Sequence, residues 1–379
     1  MSDAGPVQLP KGKIVGQRWR IIKKLGEGGC GSVYKVQDIK NHNAEAALKA
    51  ESNFVAGGTV LKLEVQILNR LKGRPHVPQL IHSGKKEMYC YMVMTLLGDT
   101  LSTLQRRTGR ISSVSTQTRV GINVLFGVKQ IHDVGFVHRD LKPANVAVGQ
   151  INTPEYRFLH ILDFGLAREF IVRGEDKKLQ MRRPRPRALF RGTTRYCSVN
   201  THDKGEQGRV DDLWSVLYML AEMRGRLPWA NLRDKKDICE SKRSTTHERL
   251  LGNSPVHLVK FARHLDTLNY YSHPNYAYIF NQFMEIMKAG KFNRFTDPFD
   301  WEPKTGKEVK KQPKTVYTTS ITTAITKGIS QAAPSIDLPL SAIGDEGIKM
   351  DSWNKFHNKK PTEENPFPAA WFSSNPLGF

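Results

Sequence analysis

Cysteine is scarce in this chain: four in 379 residues, at Cys30, Cys90, Cys197 and Cys239, with no CxxC pair. Spacing that wide suits neither a zinc site nor a disulfide framework, so a reducing compartment is the simpler expectation. Long apolar runs are missing too. No stretch reaches the roughly 18 residues of a membrane-spanning helix, and the opening MSDAGPVQLPKGK has no apolar core of a secretion signal. The expectation is a soluble cytoplasmic protein, with the nucleus as the alternative compartment and no membrane partner. Acid is in deficit: 36 Asp and Glu stand against 58 Lys and Arg, a formal charge of +22. That surplus draws nucleic acid, anionic membrane and acidic or phosphorylated protein alike, and does not choose among them. One absence is local. Residues 166–192 hold no Ser, Thr or Tyr, although the strip MRRPRPRALFRGTTRYCS at 181–198 carries six arginines.

What is present organises the chain. Residues 1–13 are polar with Gly and Pro and read as a flexible start. From 14 to about 97, RWRIIKKLG, GSVYKVQDI and EAALKAES alternate β-branched or aromatic residues with polar ones, as strands do. Leu61, Val65, Leu68 and Leu71 recur at helical spacing. From about 98 to 302 the signals turn helical, in STQTRVGINVLFGVKQIHDVG, DDLWSVLYMLAEMRG and SPVHLVKFARHLDTL. The fold class is therefore α+β: a small β-rich lobe, then a larger helical lobe, with a cleft between them for a ligand. Residues 303–379 pass through a lysine run, a Thr/Ser-rich stretch and a Pro-aromatic end, and read as a largely disordered tail. That tail has 10 Lys against 7 Asp and Glu, or +3, so most of the +22 belongs to the folded part.

Three segments carry chemistry. LGEGGCGSV sets Gly26, Gly28, Gly31 and Val33 in the pattern G-x-G-x-x-G-x-V. Glycines let a hairpin approach phosphates and aim N–H groups at them. An ordinary Gly-rich hairpin would read the same way. Lys49 in a strand and Glu64 on the following helix could form a phosphate-anchoring ion pair, or could both be surface charges. The specific signal is VHRDLKPANVAVG at 137–149 followed by LDFGLA at 162–167, with Asp163 eighteen residues after Asn145. Asp140 can accept a hydroxyl proton, and Lys142 can neutralise a phosphoryl group in flight. Asn145 and Asp163 can give hard oxygen ligands to Mg²⁺.

On these motifs the chain resembles the eukaryotic protein kinases over roughly 14–302. The resemblance implies a bilobal protein kinase fold, ATP, Mg²⁺ and phosphoryl transfer to protein hydroxyls, with Lys142 marking the Ser/Thr class. It implies ATP contacts from Leu25, Gly26, Glu27, Gly28, Gly31 and Val33 and from the Lys49–Glu64 pair. Met94 would be the gatekeeper, with Thr95 and Leu97 in a hinge that holds adenine. Asp212 would brace the catalytic loop, and Thr193 would touch the catalytic Asp and Lys. Cys30 stands where many kinases carry an aromatic residue.

RYCSVNTH replaces the usual Ala-Pro-Glu, which is similar to the casein kinase I superfamily. LKAES, FRGTTRYCSVN, GRVDDLWSVLYMLAEM, RLPW and DPFDWE resemble its tau-tubulin kinase branch. That likeness implies an anion pocket from Arg195 and Lys242, reading acidic or phospho-primed protein substrates. The loop without hydroxyls implies competence without activating phosphorylation before Thr193. A monomer is expected. Two rivals stay open: a scaffold without catalysis, and a basic nucleic-acid-binding protein, for which no recognition module is visible.

Overall fold

A computed structural model describes residues 5–28, 31–55, 58–109, 111–151, 153–292, 297–302, 367 and 369–379. The smaller lobe holds strands β1 (Ile14–Val15), β2 (Trp19–Gly28), β3 (Gly31–Asp38) and β4 (Ala44–Ser52), helix α1 (Leu61–Arg70), and strands β5 (Leu80–Lys85) and β6 (Tyr89–Met94). Along β3 every second side chain is buried, from Ser32 through Tyr34 and Val36 to Asp38, the period of a half-covered strand. The six strands form one antiparallel sheet in the order β1-β2-β3-β4-β6-β5. The α1 helix lies against β5 and β6, turning Leu61, Ile67 and Leu68 inward and carrying Glu64 in with them.

The larger lobe is built from α2 (Leu101–Arg107), α3 (Val114–Asp133), α4 (Val199–His202), α5 (Arg209–Glu222), α6 (Lys235–Ser244), α7 (His247–Leu251), α8 (His257–Asp266) and α9 (Tyr276–Ala289). Helix α3 starts where the Ser113 hydroxyl accepts the Thr116 N–H at 3.1 Å, a cap that contributes about 1 kcal/mol. It is buried almost all round because α5, α9 and the strand β9 (Leu159–Ile161) cover it. The DPFDWE segment closes the domain on this helix: Arg119 stacks on Phe299 and donates to Pro298 O at 2.9 Å.

Both flanks depart from the sequence reading. Within the start expected to be flexible (1–13), Leu9 is buried against the sheet and Tyr34 donates its hydroxyl to Val7 O at 2.6 Å. The tail expected to be disordered (303–379) lies mostly outside the described residues. Its last stretch forms α10 (Ala369–Ser373) and packs on α3 and α9, with Phe367 and Phe372 each 1 % exposed. Aromatic burial of that kind contributes about 1.5–3 kcal/mol per side chain and outweighs the polar composition around it.

Candidate active site

The loop at 138–145 leaves β7 (Phe136–Val137) and ends in the turn Pro143–Asn145, which opens β8 (Val146–Val148). Its backbone is strained at Arg139, with φ +69°, as is the neighbouring Asp163, with φ +65°. Asp212, buried in the first turn of α5, over-determines this conformation. It accepts the N–H groups of His138 (2.7 Å) and Arg139 (2.8 Å), and lies 2.9 Å from His132 Nε2. Burial works to raise the Asp212 carboxyl, but the His132 bond and the two imidazoles outweigh it and hold it below the usual carboxylate range. Asp212 thus ties the backbone of this loop to α5.

Asp140 is held at both oxygens. Lys142 Nζ donates to Oδ2 at 2.6 Å and the Thr193 hydroxyl to Oδ1 at 2.7 Å, while Lys142 also reaches Thr193 at 3.2 Å. Gly192 permits this approach: its φ is +109°, and a Cβ there would stand 2.5 Å from Arg139 O. The β8–β9 hairpin pairs Val146 with Ile161, so Asn145 and Asp163 emerge side by side. The Asn145 amide nitrogen donates to Asp140 O at 2.9 Å, which turns its oxygen outward. At Asp163, burial acts upward on the carboxyl, but Lys49, with His138 and Lys142, prevails and holds it low. The pair thus presents a carboxylate and an amide oxygen, the hard donors a divalent cation takes.

Across the cleft, β4 sets Lys49 opposite Val33 on one side and Met92 on the other. Lys49 Nζ meets Glu64 at 2.5 Å and Asp163 at 3.4 Å, so neither Lys49 nor Glu64 is a surface charge. Burial pushes the Glu64 carboxyl up to about 7 against the pull of Lys49. Gly26 and Gly28 have open space where a Cβ would be, room for phosphate oxygens. Gly31, at φ +102°, could not carry a Cβ, which would sit 2.3 Å from Ala50 O. Leu25, on β2 just before Gly26, is exposed. Glu27 instead pairs with Lys24 and Gln8. The hairpin tip, Gly29 and Cys30, lies outside the described residues. Met94 ends β6 beside Leu80, and the Thr95 N–H is taken by Gln79 O at 3.0 Å. Among the described residues the Leu97 N–H has no partner, which suits it to a flat heterocycle.

The arginine strip holds a residue that sequence reasoning missed. Glu206, 5 % exposed, accepts from Arg185 Nε at 2.6 Å and Nη2 at 3.0 Å, and forms an ion pair with Arg168 at 3.3 Å. Burial acts to raise its carboxyl, but those arginines win and keep it ionised. The excess of arginine called for a counter-ion; which acid supplied it depended on the loop folding back over EQGRVDD.

The pocket expected from Arg195 and Lys242 is not built. Lys242 is buried beneath the loop, donating to Thr194 O (2.7 Å) and Cys197 O (2.5 Å) under the rings of Tyr218 and Trp229. Burial lowers its pKa to about 8. It clamps loop backbone and has no free head group for a ligand. Arg195 points elsewhere, to Glu222 and to Ala230 O at 2.8 Å. There it lines a cavity of about 580 Å³ beside Pro143, together with Arg106, Arg226 and Gln105.

Residues 19–265 match the protein kinase domain family. The chain is 49 % identical over 311 residues to a Caenorhabditis elegans protein named as a serine/threonine-protein kinase, covering 82 % of this chain and 88 % of that one. It is 36 % identical over 250 residues to a C. elegans protein named an inactive tau-tubulin kinase, covering 63 % of this chain and 86 % of that one. It is also 36 % identical to a C. elegans protein named as a casein kinase I, covering 61 % of this chain and 67 % of that one.

Proposed function

From the premise that the chain belongs to the protein kinase family, in its casein kinase I superfamily, and is a serine/threonine kinase that uses ATP, we propose that it phosphorylates acidic or already phosphorylated protein segments. The observation that carries catalytic competence is the Asp140–Lys142–Thr193 cluster, held at 2.6–3.2 Å. Asp140 orients the substrate hydroxyl and accepts its proton. Lys142 stays beside that carboxylate and offsets charge on the phosphoryl group. Although one relative is named inactive, Lys49, Glu64, Asp140, Lys142, Asn145 and Asp163 are all kept here. That favours an active kinase over a scaffold.

Mg²⁺ fits Asn145 and Asp163. Among the described residues no group of three or more His, Cys, Asp or Glu could hold a metal. Two hard oxygens suit an ion that completes its shell with phosphate and water, and when bound it would neutralise phosphate charge.

The pH dependence follows from Glu64. Below about pH 7 its carboxyl takes a proton and the ion pair with Lys49 is lost. Turnover on ATP is therefore expected to rise between about pH 6 and 8, and Glu64→Gln to flatten that limb of the kcat/KM profile. For stability the sign reverses. The folded state holds a proton that the unfolded chain releases near 4.5, so the contribution is full below 4.5 and lost as pH rises through about 7.

The substrate preference is supported by charge: the folded part carries nearly all of the +22, and three arginines line the cavity beside Pro143. Among the described residues its one acid is Glu222, which Arg195 and Tyr196 cover. Removing Arg195 would uncover a negative charge in this cavity. A peptide array of acidic, phospho-primed, neutral and basic sets tests this. Arg195→Ala should cost acidic and primed peptides about tenfold more than neutral ones, about 1.4 kcal/mol, and should improve basic ones. Equal loss on all sets would refute the preference.

A further inference from the structure

Between β10 (Arg168–Glu169) and the arginine strip the chain makes a small hairpin, β11 (Ile171–Arg173) with β12 (Leu179–Met181). It does not belong to either large core. Phe170 and Ile171 are buried with Val137, the residue immediately before the catalytic loop, in a third, separate cluster. The residues covering that cluster are Leu179 and Met181 from the hairpin, and Leu377 and Phe379 from more than 190 positions later.

The later residues are brought there by a built segment. Phe372 stacks on Phe280 at 4.1 Å and Trp371 on Phe126 at 5.0 Å, anchoring α10. Lys129, fully buried, reaches the Ser374 hydroxyl at 2.9 Å. Asn375-Pro376-Leu377-Gly378 then turns the chain, with the Gly378 N–H donating to Asn375 O at 3.2 Å and Pro at the second position where its φ is pre-set. Beyond the turn, Arg209 joins the pieces. Its guanidinium donates to Phe379 O (2.9 Å) and Tyr271 O (3.3 Å), touches Met181 Sδ (3.8 Å) and lies over the Phe170 ring (4.9 Å). Arg209 opens α5, three residues before Asp212, the brace of the catalytic loop. The strip itself hangs from the same place: the Arg182 N–H donates to Phe170 O at 2.7 Å, and Tyr270 donates its hydroxyl to Arg182 O at 2.9 Å.

We propose that residues 369–379 are a strap in cis that positions the substrate loop, with Leu377 and Phe379 closing the cluster under the hairpin and Arg209 as the positioning residue between them. The kinase reaction does not use these residues directly. They set where the arginine strip starts, so their loss should be felt by the protein substrate and not by ATP. This rests on the reading that the strip faces substrate, but it does not depend on which substrates are preferred.

The test is Leu377→Asp/Phe379→Asp in the full chain, with Leu377→Ala as the milder variant should the double substitution fail to fold. Arg173, Lys177 and Lys178 are exposed on the hairpin and report its opening to trypsin. We expect cleavage there to quicken about tenfold, and KM for acidic and neutral peptides alike to rise about fivefold, with KM for ATP unchanged within twofold. Leu377→Met should restore both. A lower unfolding midpoint with hairpin cleavage and peptide KM both at wild-type values would overturn the proposal, because the strap would then be only a stabilising contact. If cleavage quickens and peptide KM rises while acidic and neutral peptides remain indistinguishable in the wild type, the strap stands and the acidic preference falls.

Discussion

Replacing Asp140 with Asn is expected to cut phosphoryl transfer by about 10²–10⁴-fold, the usual share of a positioned general base. The substitution keeps the size of the side chain but removes the carboxylate that Lys142 and Thr193 hold in place to accept the proton. It also turns an ion pair with Lys142, now 2.6 Å long, into a weaker contact between an ammonium and a neutral amide. Nucleotide binding depends on Lys49, Glu64 and the Gly-rich hairpin on the other lobe, so ATP affinity should hold within a few-fold. ATP-dependent labelling of casein, set beside nucleotide-induced thermal stabilisation, separates the two effects. Retention of more than a tenth of the activity would mean that another group takes the proton.

The second large effect is expected at Glu206. Its carboxylate neutralises Arg185 and Arg168, and lies close enough to Arg139 to oppose the lowering of that guanidinium. Burial, with the charges of Arg168, Arg185 and Arg191, brings Arg139 down to about 10 even with Glu206 in place. In many kinases a phosphate on the loop supplies this counter-charge. Here residues 166–192 offer no hydroxyl, and an acid from the segment before α5 does the work. Phosphatase treatment should therefore leave the wild-type protein fully active.

Glu206→Ala should lose at least tenfold in activity and destabilise the fold by about 1–3 kcal/mol, the cost of leaving buried polar groups unpaired. The Arg185 side chain is 38 % exposed, so water screens part of the loss. Glu206→Gln, which keeps the shape and one acceptor, should fall between. Sulfate added to the Ala variant should recover part of the activity. Inactivation of the wild type by phosphatase, with a phosphate mapped to this loop, would contradict the role given to Glu206.

The catalytic loop was legible because its chemistry is local. Asp140, Lys142 and Asn145 lie within one short loop, and Asp163 follows just past the return strand of the hairpin that the loop opens, so their order in the chain already implies their meeting. The strands and α1 were legible for a similar reason: alternation along β3 and the spacing of Leu61, Leu68 and Leu71 follow from which faces need cover. The Lys49–Glu64 pair stood open between core and surface until the sheet register turned Lys49 inward and the packing of α1 carried Glu64 to meet it.

The errors share one cause. Arg195 and Lys242 are both basic and both border the substrate loop, but a charge in the sequence does not say which way its head group points. Backbone carbonyls at Thr194 and Cys197 capture Lys242, and Glu222 captures Arg195. Polar composition misled at both flanks, where a few apolar side chains, Leu9 at one and Phe372 at the other, found surfaces prepared by residues far away in the chain.

The sequence by itself determined the reaction, because the groups that handle the proton, the phosphate and the hard cation must be particular residue types at short, fixed separations. The tertiary structure alone decided what holds the substrate loop in place: Glu206 among the arginines, Lys242 under the backbone, and Leu377 and Phe379 beneath the hairpin. Those contacts join residues up to about 200 positions apart, and such pairings depend on packing and burial, which no local pattern encodes.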